Sequence, residues 1–177
     1  ENFRRYESKI DPTQLLSLLP LRPYQEIANV GCGFSDFTVS LAKYLFDGKL
    51  YAVDSQKKTL ESLAIRLDQI RLTNVELVQS RKKDIGLQDE SIDGVLMPFM
   101  LNNVEDKKTL LEQILKALRR GGWLALLEWH AKDTKEGPPL HTRLAREESE
   151  LITKEAGFRS IERRDISTGE YMVLLRK

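Results

Sequence analysis

One cysteine in 177 residues, Cys32, rules out an internal disulfide and leaves no cysteine cluster to hold a metal. Histidine is nearly as scarce. His130 and His141 stand eleven positions apart with no framework of further ligands around them, so no metal site is expected. No apolar run approaches the roughly 18 to 20 residues that a membrane-spanning helix needs. Glu1 begins no recognisable signal peptide, and a cytoplasmic protein without a membrane span is expected. Charge of one sign is missing too. Twenty-eight Lys and Arg against 27 Asp and Glu leave a formal charge of +1, a balance that offers no global attraction to nucleic acid.

What is present is ordinary for a globular protein: 41% hydrophobic and 31% charged residues, in a chain of single-domain length. Asp11-Pro12-Thr13-Gln14 before Leu15, Leu16, Leu18 and Leu19 predicts a short helix, with Asp as cap and Pro at the first helical position. Pro20 and Pro23 then break the chain ahead of a first strand at about 26–30. The N-terminal residues 1–24 read as a helical segment on the substrate side, and 25–177 as the main domain.

Strand and helix patterns alternate from there. Ser35 or Asp36 can cap a helix bearing Phe37, Val39, Leu41, Ala42 and Leu45, followed by a strand at 49–53. Ser55 can cap the next helix, whose Leu60, Leu63, Ala64, Leu67 and Ile70 recur at three and four residues. Short strands follow at 75–78 and 92–97. Leu110, Leu111, Ile114, Leu115 and Leu118 form another helical stripe, which Gly121-Gly122 should end before a strongly apolar strand at 123–128. The stretch 131–143 contains Gly137-Pro138-Pro139 and reads as an extended connection, a lid or a pocket wall. A helix at 147–156, capped by Gly157, and a hairpin of 158–164 with 170–175 complete the chain.

This rhythm is that of a doubly wound α/β sheet, which binds ligands beyond the carboxyl ends of its strands. The unusual residues fall there: Gly31 and Gly33 after the first strand, Asp54 after the second, Ser80 and Arg81 after the third, Pro98 and Phe99 after the fourth. Glycine lets the backbone approach a ligand, and the helix after it presents unpaired N–H groups. Asp54 is placed to accept hydrogen bonds from ribose hydroxyls; its alternative reading is an acidic helix cap. A dinucleotide fingerprint would carry a third glycine where Asp36 stands, and an acid at that helix start opposes a pyrophosphate.

The stretches Ile27-Ala28-Asn29-Val30-Gly31-Cys32-Gly33, Tyr51-Ala52-Val53-Asp54, Asp89-Glu90-Ser91-Ile92-Asp93 and Leu118-Arg119-Arg120-Gly121-Gly122-Trp123 resemble the class I S-adenosylmethionine-dependent methyltransferases. The likeness is greatest to the type 11 group that is similar to enzymes of ubiquinone and menaquinone biosynthesis. It implies a Rossmann-like seven-stranded sheet of order 3-2-1-4-5-7-6 with strand seven antiparallel. It also implies S-adenosylmethionine as cofactor, S-adenosylhomocysteine as product and a small-molecule substrate. By the same resemblance Gly31 and Gly33 would pass beneath the methionine part of the cofactor, with Asn29 and Cys32 also among the cofactor-binding residues, and Asp54 would hold the ribose. Ser55 would lie beside the adenosine, Ser80, Arg81 and Lys82 would flank adenine, and Met97, Pro98 and Phe99 would form the pocket mouth.

The chain departs from the family pattern at three positions. Asn29 stands where an acid is usual, Ser35 where the third glycine is usual, and Arg81 where an acid commonly recognises adenine. These departures favour a second reading, a methyltransferase-like module that binds a protein or metabolite without catalysis. A nicotinamide oxidoreductase is a third. Among candidate bases His130 comes first and His141 second, each also readable as a loop or packing residue. Asn102 and Asn103 can orient a substrate or serve as turn residues, and Tyr6 can close the pocket if its segment folds back. Arg81-Lys82-Lys83 reads as a solvated loop, since Asp84 follows and no aromatic residues interleave.

Overall fold

A computed structural model describes residues 10–33 and 35–177 of the protein. Asp11 caps α1 (Pro12–Ser17), its carboxylate accepting the Thr13 N–H at 3.1 Å as the sequence predicts. The alternating pattern then resolves into β1 (Glu26–Val30), α2 (Ser35–Tyr44), β2 (Lys49–Asp54), α3 (Lys57–Gln69), β3 (Val75–Gln79) and β4 (Ile92–Pro98). After β4 come α4 (Lys107–Ala117), β5 (Leu118–Trp129), α5 (Arg146–Glu155), β6 (Arg159–Asp165) and β7 (Glu170–Arg176). Single 3-10 turns at Leu101–Asn103 and Leu140–Thr142 lie after β4 and before α5.

The strands form one seven-stranded sheet in the order β3-β2-β1-β4-β5-β7-β6. All neighbours are parallel except β5–β7 and β6–β7, so β7 runs antiparallel between them, as the resemblance implied. Strand order reverses between β1 and β4. In sheets of this kind that switch point, beyond the carboxyl ends of the two strands, is where ligands bind.

Because β1, β4 and β5 are covered on both sides, their residues are apolar on both faces and alternate between two cores. Ala28, Val95, Met97, Leu124 and Leu126 pack with Leu111 and Ile114 of α4 and with Phe158. Ile27, Leu50, Leu96, Ala125 and Leu127 pack with Leu15 and Leu16 of α1 and with Phe37 and Leu41 of α2. Cys32 belongs to a third cluster, beside Leu60, Leu63 and Leu67 of α3, where it acts as a small packing residue.

Two local expectations fail. Gly121-Gly122 does not end the α4 helix: the helix stops at Ala117, and β5 begins at Leu118 and runs through both glycines. Ile92 pairs with Leu118 and Gly94 with Trp123, so an irregularity in register accommodates the pair. Sheet pairing with β4 extends a strand where local propensity predicted a helix end. Ser55 does not cap α3 either. The cap is Gln56, without a side-chain bond, and the Gln56 N–H donates instead to the Asp54 carboxylate at 2.9 Å.

Candidate functional site

The glycine turn is built from main-chain bonds. Gly31 adopts φ +81°, a region that favours glycine, and its N–H donates to the Val53 carbonyl at 2.8 Å. The Cys32 N–H shares that acceptor at 3.1 Å, so the turn is pinned to the end of β2. A Cβ on residue 31 would stand 2.9 Å from the Met100 sulfur, so Met100 closes over the turn. Gly33 is half-buried beside it.

Asn29 is fully buried beneath the turn. Its Nδ2 donates to Thr38 Oγ1 at 3.0 Å, and that hydroxyl donates to the Cys32 carbonyl at 3.2 Å. Strand, turn and α2 are thereby braced through a donor that a carboxylate lacks, which gives the amide at this position a structural reason. Its Oδ1 is buried without a partner. Asp36 forms an ion pair at 2.7 Å with Arg66 of α3. The pair is neutral overall, so the acid opposes a pyrophosphate less than its position in the sequence indicated.

Asp54 is buried to 4% exposure at the carboxyl end of β2, and its carbonyl accepts the Ser80 N–H at 3.0 Å. Cap and ligand readings of this acid are compatible, because one oxygen accepts the Gln56 N–H while the residue stays at the strand end. Ser80 is half-buried; Ser55, Arg81 and Lys82 are exposed. Arg81 and Asp84 exchange backbone bonds of 2.7 and 3.1 Å, and Lys82 pairs with Glu105 at 3.9 Å. Such an exposed pair contributes about 0–1 kcal/mol and leaves both groups free to reorient. Met97 is fully buried in the core; Met100, three residues on, is the methionine that touches the turn.

Phe99 links this turn to the next part of the edge. It holds φ +53°, a conformation that costs a bulky residue about 1–3 kcal/mol, and its N–H donates to the Leu127 carbonyl at 2.7 Å. The ring lies 5.5 Å from that of Trp129. Asn103 Nδ2 donates to the Phe99 carbonyl at 3.1 Å, and Asn102 Nδ2 to the Thr142 carbonyl at 3.2 Å. Both asparagines therefore brace turns in this structure.

Sequence reasoning passed over Glu128. It is the only charged residue between Trp123 and Trp129, and it is fully buried. Oε1 accepts the Asn102 N–H at 3.2 Å, while Oε2 and the Asn102 Oδ1 are buried without partners. Burial pushes its carboxyl up to about 8, against the opposing pull of the Asn102 and Leu101 amides. At neutral pH the group is mostly protonated.

His130, just past β5, is gathered with Asp165, Arg146 and Tyr171. Its Nε2 lies 2.9 Å from Asp165 Oδ1, which Arg146 also binds, and its ring is 5.2 Å from that of Tyr171. Burial, followed by Lys132, lowers the imidazole below its ordinary range despite Asp165. The neutral ring that results has Nε2 committed to the aspartate. His141 is exposed on the second 3-10 turn. Tyr6 lies outside the described residues.

Trp129 faces the opposite side of β5. It lines an open cleft of about 690 Å³ with Ile10, Gln14, Lys132, Ile166 and Gly169. That volume suits a small molecule. The connection after β5 is one wall of the cleft and the β6–β7 turn another. Among the described residues, no group of three His, Cys, Asp or Glu side chains could hold a metal ion. No helix among them is long and apolar enough to cross a membrane.

Comparison with known proteins decides the family. The profile described as "Methyltransferase domain" matches residues 28–126, from β1 through most of β5. The chain belongs to the class I S-adenosylmethionine-dependent methyltransferases, type 11. S-adenosylmethionine, with S-adenosylhomocysteine as product, is the cofactor of this family. A demethylmenaquinone methyltransferase of Bacillus mycoides (strain KBAB4) is 27% identical over 128 residues, 72% of this chain and 53% of the relative. The chain thus spans about half the length of the curated relatives it matches. A crystal structure of a SAM-dependent methyltransferase from Aquifex aeolicus superposes with TM-score 0.91 at 24% identity, covering 94% of this chain and 89% of that one. The [4+2]-cyclase SpnF superposes with TM-score 0.82 at 14% identity, covering 94% and 80%. At such identities the methyltransferase domain shares a fold with these structures, and a shared fold does not carry chemistry with it.

Proposed function

We propose that this methyltransferase domain moves a methyl group from S-adenosylmethionine to a small organic metabolite in the cytoplasm, with positioning as its main catalytic device. The observation that carries the reading is the pairing of the Gly31 turn, pinned to Val53, with buried Asp54 at the end of the neighbouring strand. These groups fit the proposed ligand. A glycine-lined approach suits the methionine portion, and a carboxylate on β2 suits two ribose hydroxyls. The Asn29 Oδ1 is a buried acceptor able to take a donor. Ser80, Arg81 and Lys82 would border the adenine.

The cofactor supplies an electrophilic methyl on a sulfonium. The protein must bring the acceptor's nucleophilic atom in line with it and exclude water, and alignment alone supplies several kcal/mol of barrier reduction. As the new bond to carbon forms, the carbon–sulfur bond breaks and the acceptor's proton leaves to solvent or a nearby base. His130 and His141 are the candidate bases. The engagement of His130 Nε2 with Asp165 favours a supporting role for that ring. The acceptor would enter over the cleft at Trp129, with Ile10 and Gln14 of the N-terminal segment beside it.

A non-catalytic binding module is the second reading, favoured by Asn29 in place of the usual acid and by the exposed Arg81. Incubation with methyl-labelled S-adenosylmethionine and a fractionated small-molecule extract separates the two. Label entering a small-molecule fraction is the expected result. Label confined to protein or nucleic acid would overturn the acceptor class, and cofactor binding with no S-adenosylhomocysteine formed from any fraction would establish the binding module.

A further inference from the structure

The connection between β5 and α5 has no regular secondary structure over most of its length, yet it is organised around one side chain. Arg143 Nε donates to the Pro138 carbonyl at 2.8 Å, and Nη2 to the Glu136 carbonyl at 2.9 Å. Nη1 reaches the carbonyls of Lys132 at 2.8 Å and His130 at 3.2 Å, and Thr134 Oγ1 at 2.7 Å. All three guanidinium nitrogens are spent on a nine-residue stretch, 130–138, of the same connection. The guanidinium carbon also lies 5.8 Å from the centre of the Trp129 ring. Gly137, at φ +93°, passes so close that a Cβ there would stand 2.6 Å from that ring.

Residues 132–136, which these bonds gather, are the residues that wall the 690 Å³ cleft, and Trp129 is its floor. The wall is thus preformed and held from behind by a planar fork of donors. A lysine ammonium could not span the same carbonyls. The floor and sides offer Trp129, Ile10 and Ile166 as apolar surface. At the exposed surface Lys132 and Lys135 are matched by Asp133 and Glu136, while Glu170 is buried and accepts the Ser167 hydroxyl at 2.6 Å, so the cleft selects more by shape than by charge.

We propose that Arg143 is a positioning residue for the methyl acceptor: by gathering the carbonyls of 130–138 it shapes the cleft over Trp129 to hold a small, uncharged acceptor with an apolar body. The proposal rests on the methyltransferase reading for the identity of the reaction, but the cleft and its architecture can be tested apart from it. Phe99 connects the two sites, lying against Trp129 and followed directly by the Met100 that covers Gly31.

The test titrates 4-fluorophenol into the full chain and into Arg143→Ala, Arg143→Lys and Ile166→Glu, read by fluorine NMR, with calorimetry of S-adenosylmethionine on each protein. The expected result is saturable binding by the parent, weakened about tenfold or more in Arg143→Ala and Ile166→Glu and several-fold in Arg143→Lys. Ethylguanidinium should restore binding to Arg143→Ala, and cofactor affinity should stay within about twofold throughout. No probe binding by the parent, binding indifferent to Ile166→Glu, or parental probe affinity in Arg143→Ala would overturn the proposal. So would an equal loss of cofactor affinity, which would make the arginine merely structural. Should Arg143→Ala fail to fold, parental probe affinity in Arg143→Lys contradicts the proposal. A parent that fails to bind S-adenosylmethionine removes the methyltransferase reading, while the probe titration still judges the cleft.

Discussion

The two ends of the carboxyl edge are held together by different means. Around β1 and β2 the main chain does the work: Gly31 and Cys32 donate to one carbonyl, and buried side chains such as Asn29 and Thr38 brace that geometry. Around β5 and β7 the shape is set by side chains. Arg143 gathers the connection, Glu128 accepts the Asn102 amide, and Arg146, Asp165 and His130 cluster over Tyr171. A backbone-built site tolerates little change in conformation but few of its side chains are specific. A side-chain-built site can be recut one residue at a time, which fits the acceptor side proposed for this end.

Breaking the first end should have the largest effect. Gly31→Val places a β-branched residue at φ +81° with its Cβ against the Met100 sulfur, and S-adenosylmethionine affinity should fall by about a thousandfold or more, measured by calorimetry. The 4-fluorophenol titration of the cleft should change far less. Equal losses at both sites would show that the two ends are one mechanical unit.

Glu128 sharpens the contrast through pH. Its folded-state pKa lies above the ordinary carboxylate range, so the folded protein binds an extra proton. Stability is therefore lost as pH rises from about 4.5 toward 8, and the loss levels off above that. Glu128→Gln removes the ionisation and should be more stable than the parent at pH 8–9 by on the order of 2–4 kcal/mol, with the advantage vanishing near pH 4. Thermal unfolding across pH reads this directly. A pH-independent difference would mean that Glu128 has the same pKa in the folded and the unfolded chain.

Smaller effects follow at single hydrogen bonds. Asp54→Asn keeps an acceptor for the Gln56 N–H but weakens a charged ribose contact, and should reduce cofactor affinity about tenfold to a hundredfold with little change in the cleft. His130→Gln should leave cofactor affinity unaltered and shift stability by under about 1 kcal/mol. Because burial depresses the His130 pKa, the parent should lose stability as pH falls through 6.5 while the variant does not. A large fall in turnover with unchanged stability would return His130 to the role of base.

Legibility in the sequence follows the same division. Strand and helix periods gave β1 to β7 their places because each element buries a stripe that alternates or recurs at fixed spacing, and the glycine turn was visible because only its residue types permit its backbone. The failures were local competitions. Gly121-Gly122 looked like a helix end, but pairing with β4 had already claimed the chain from Leu118. Ser55 looked like a cap, but the Asp54 carboxylate took the amide. Asn29 read as a missing acid, whereas its amide is the donor that Thr38 requires. Arg143 left no pattern at all, since an arginine bonded to carbonyls of its own loop asks nothing of the side chains there. For Glu128 the signal existed: a lone acid in an apolar central strand must either be partnered or protonated.

The measurement that bears most directly on the account is a calorimetric titration of the full chain with S-adenosylmethionine, S-adenosylhomocysteine and NAD. The account predicts one site that takes both sulfur ligands, is weakened by Asp54→Asn and ignores NAD. Absence of binding to either sulfur ligand by the folded protein, or preference for NAD at that site, would contradict it.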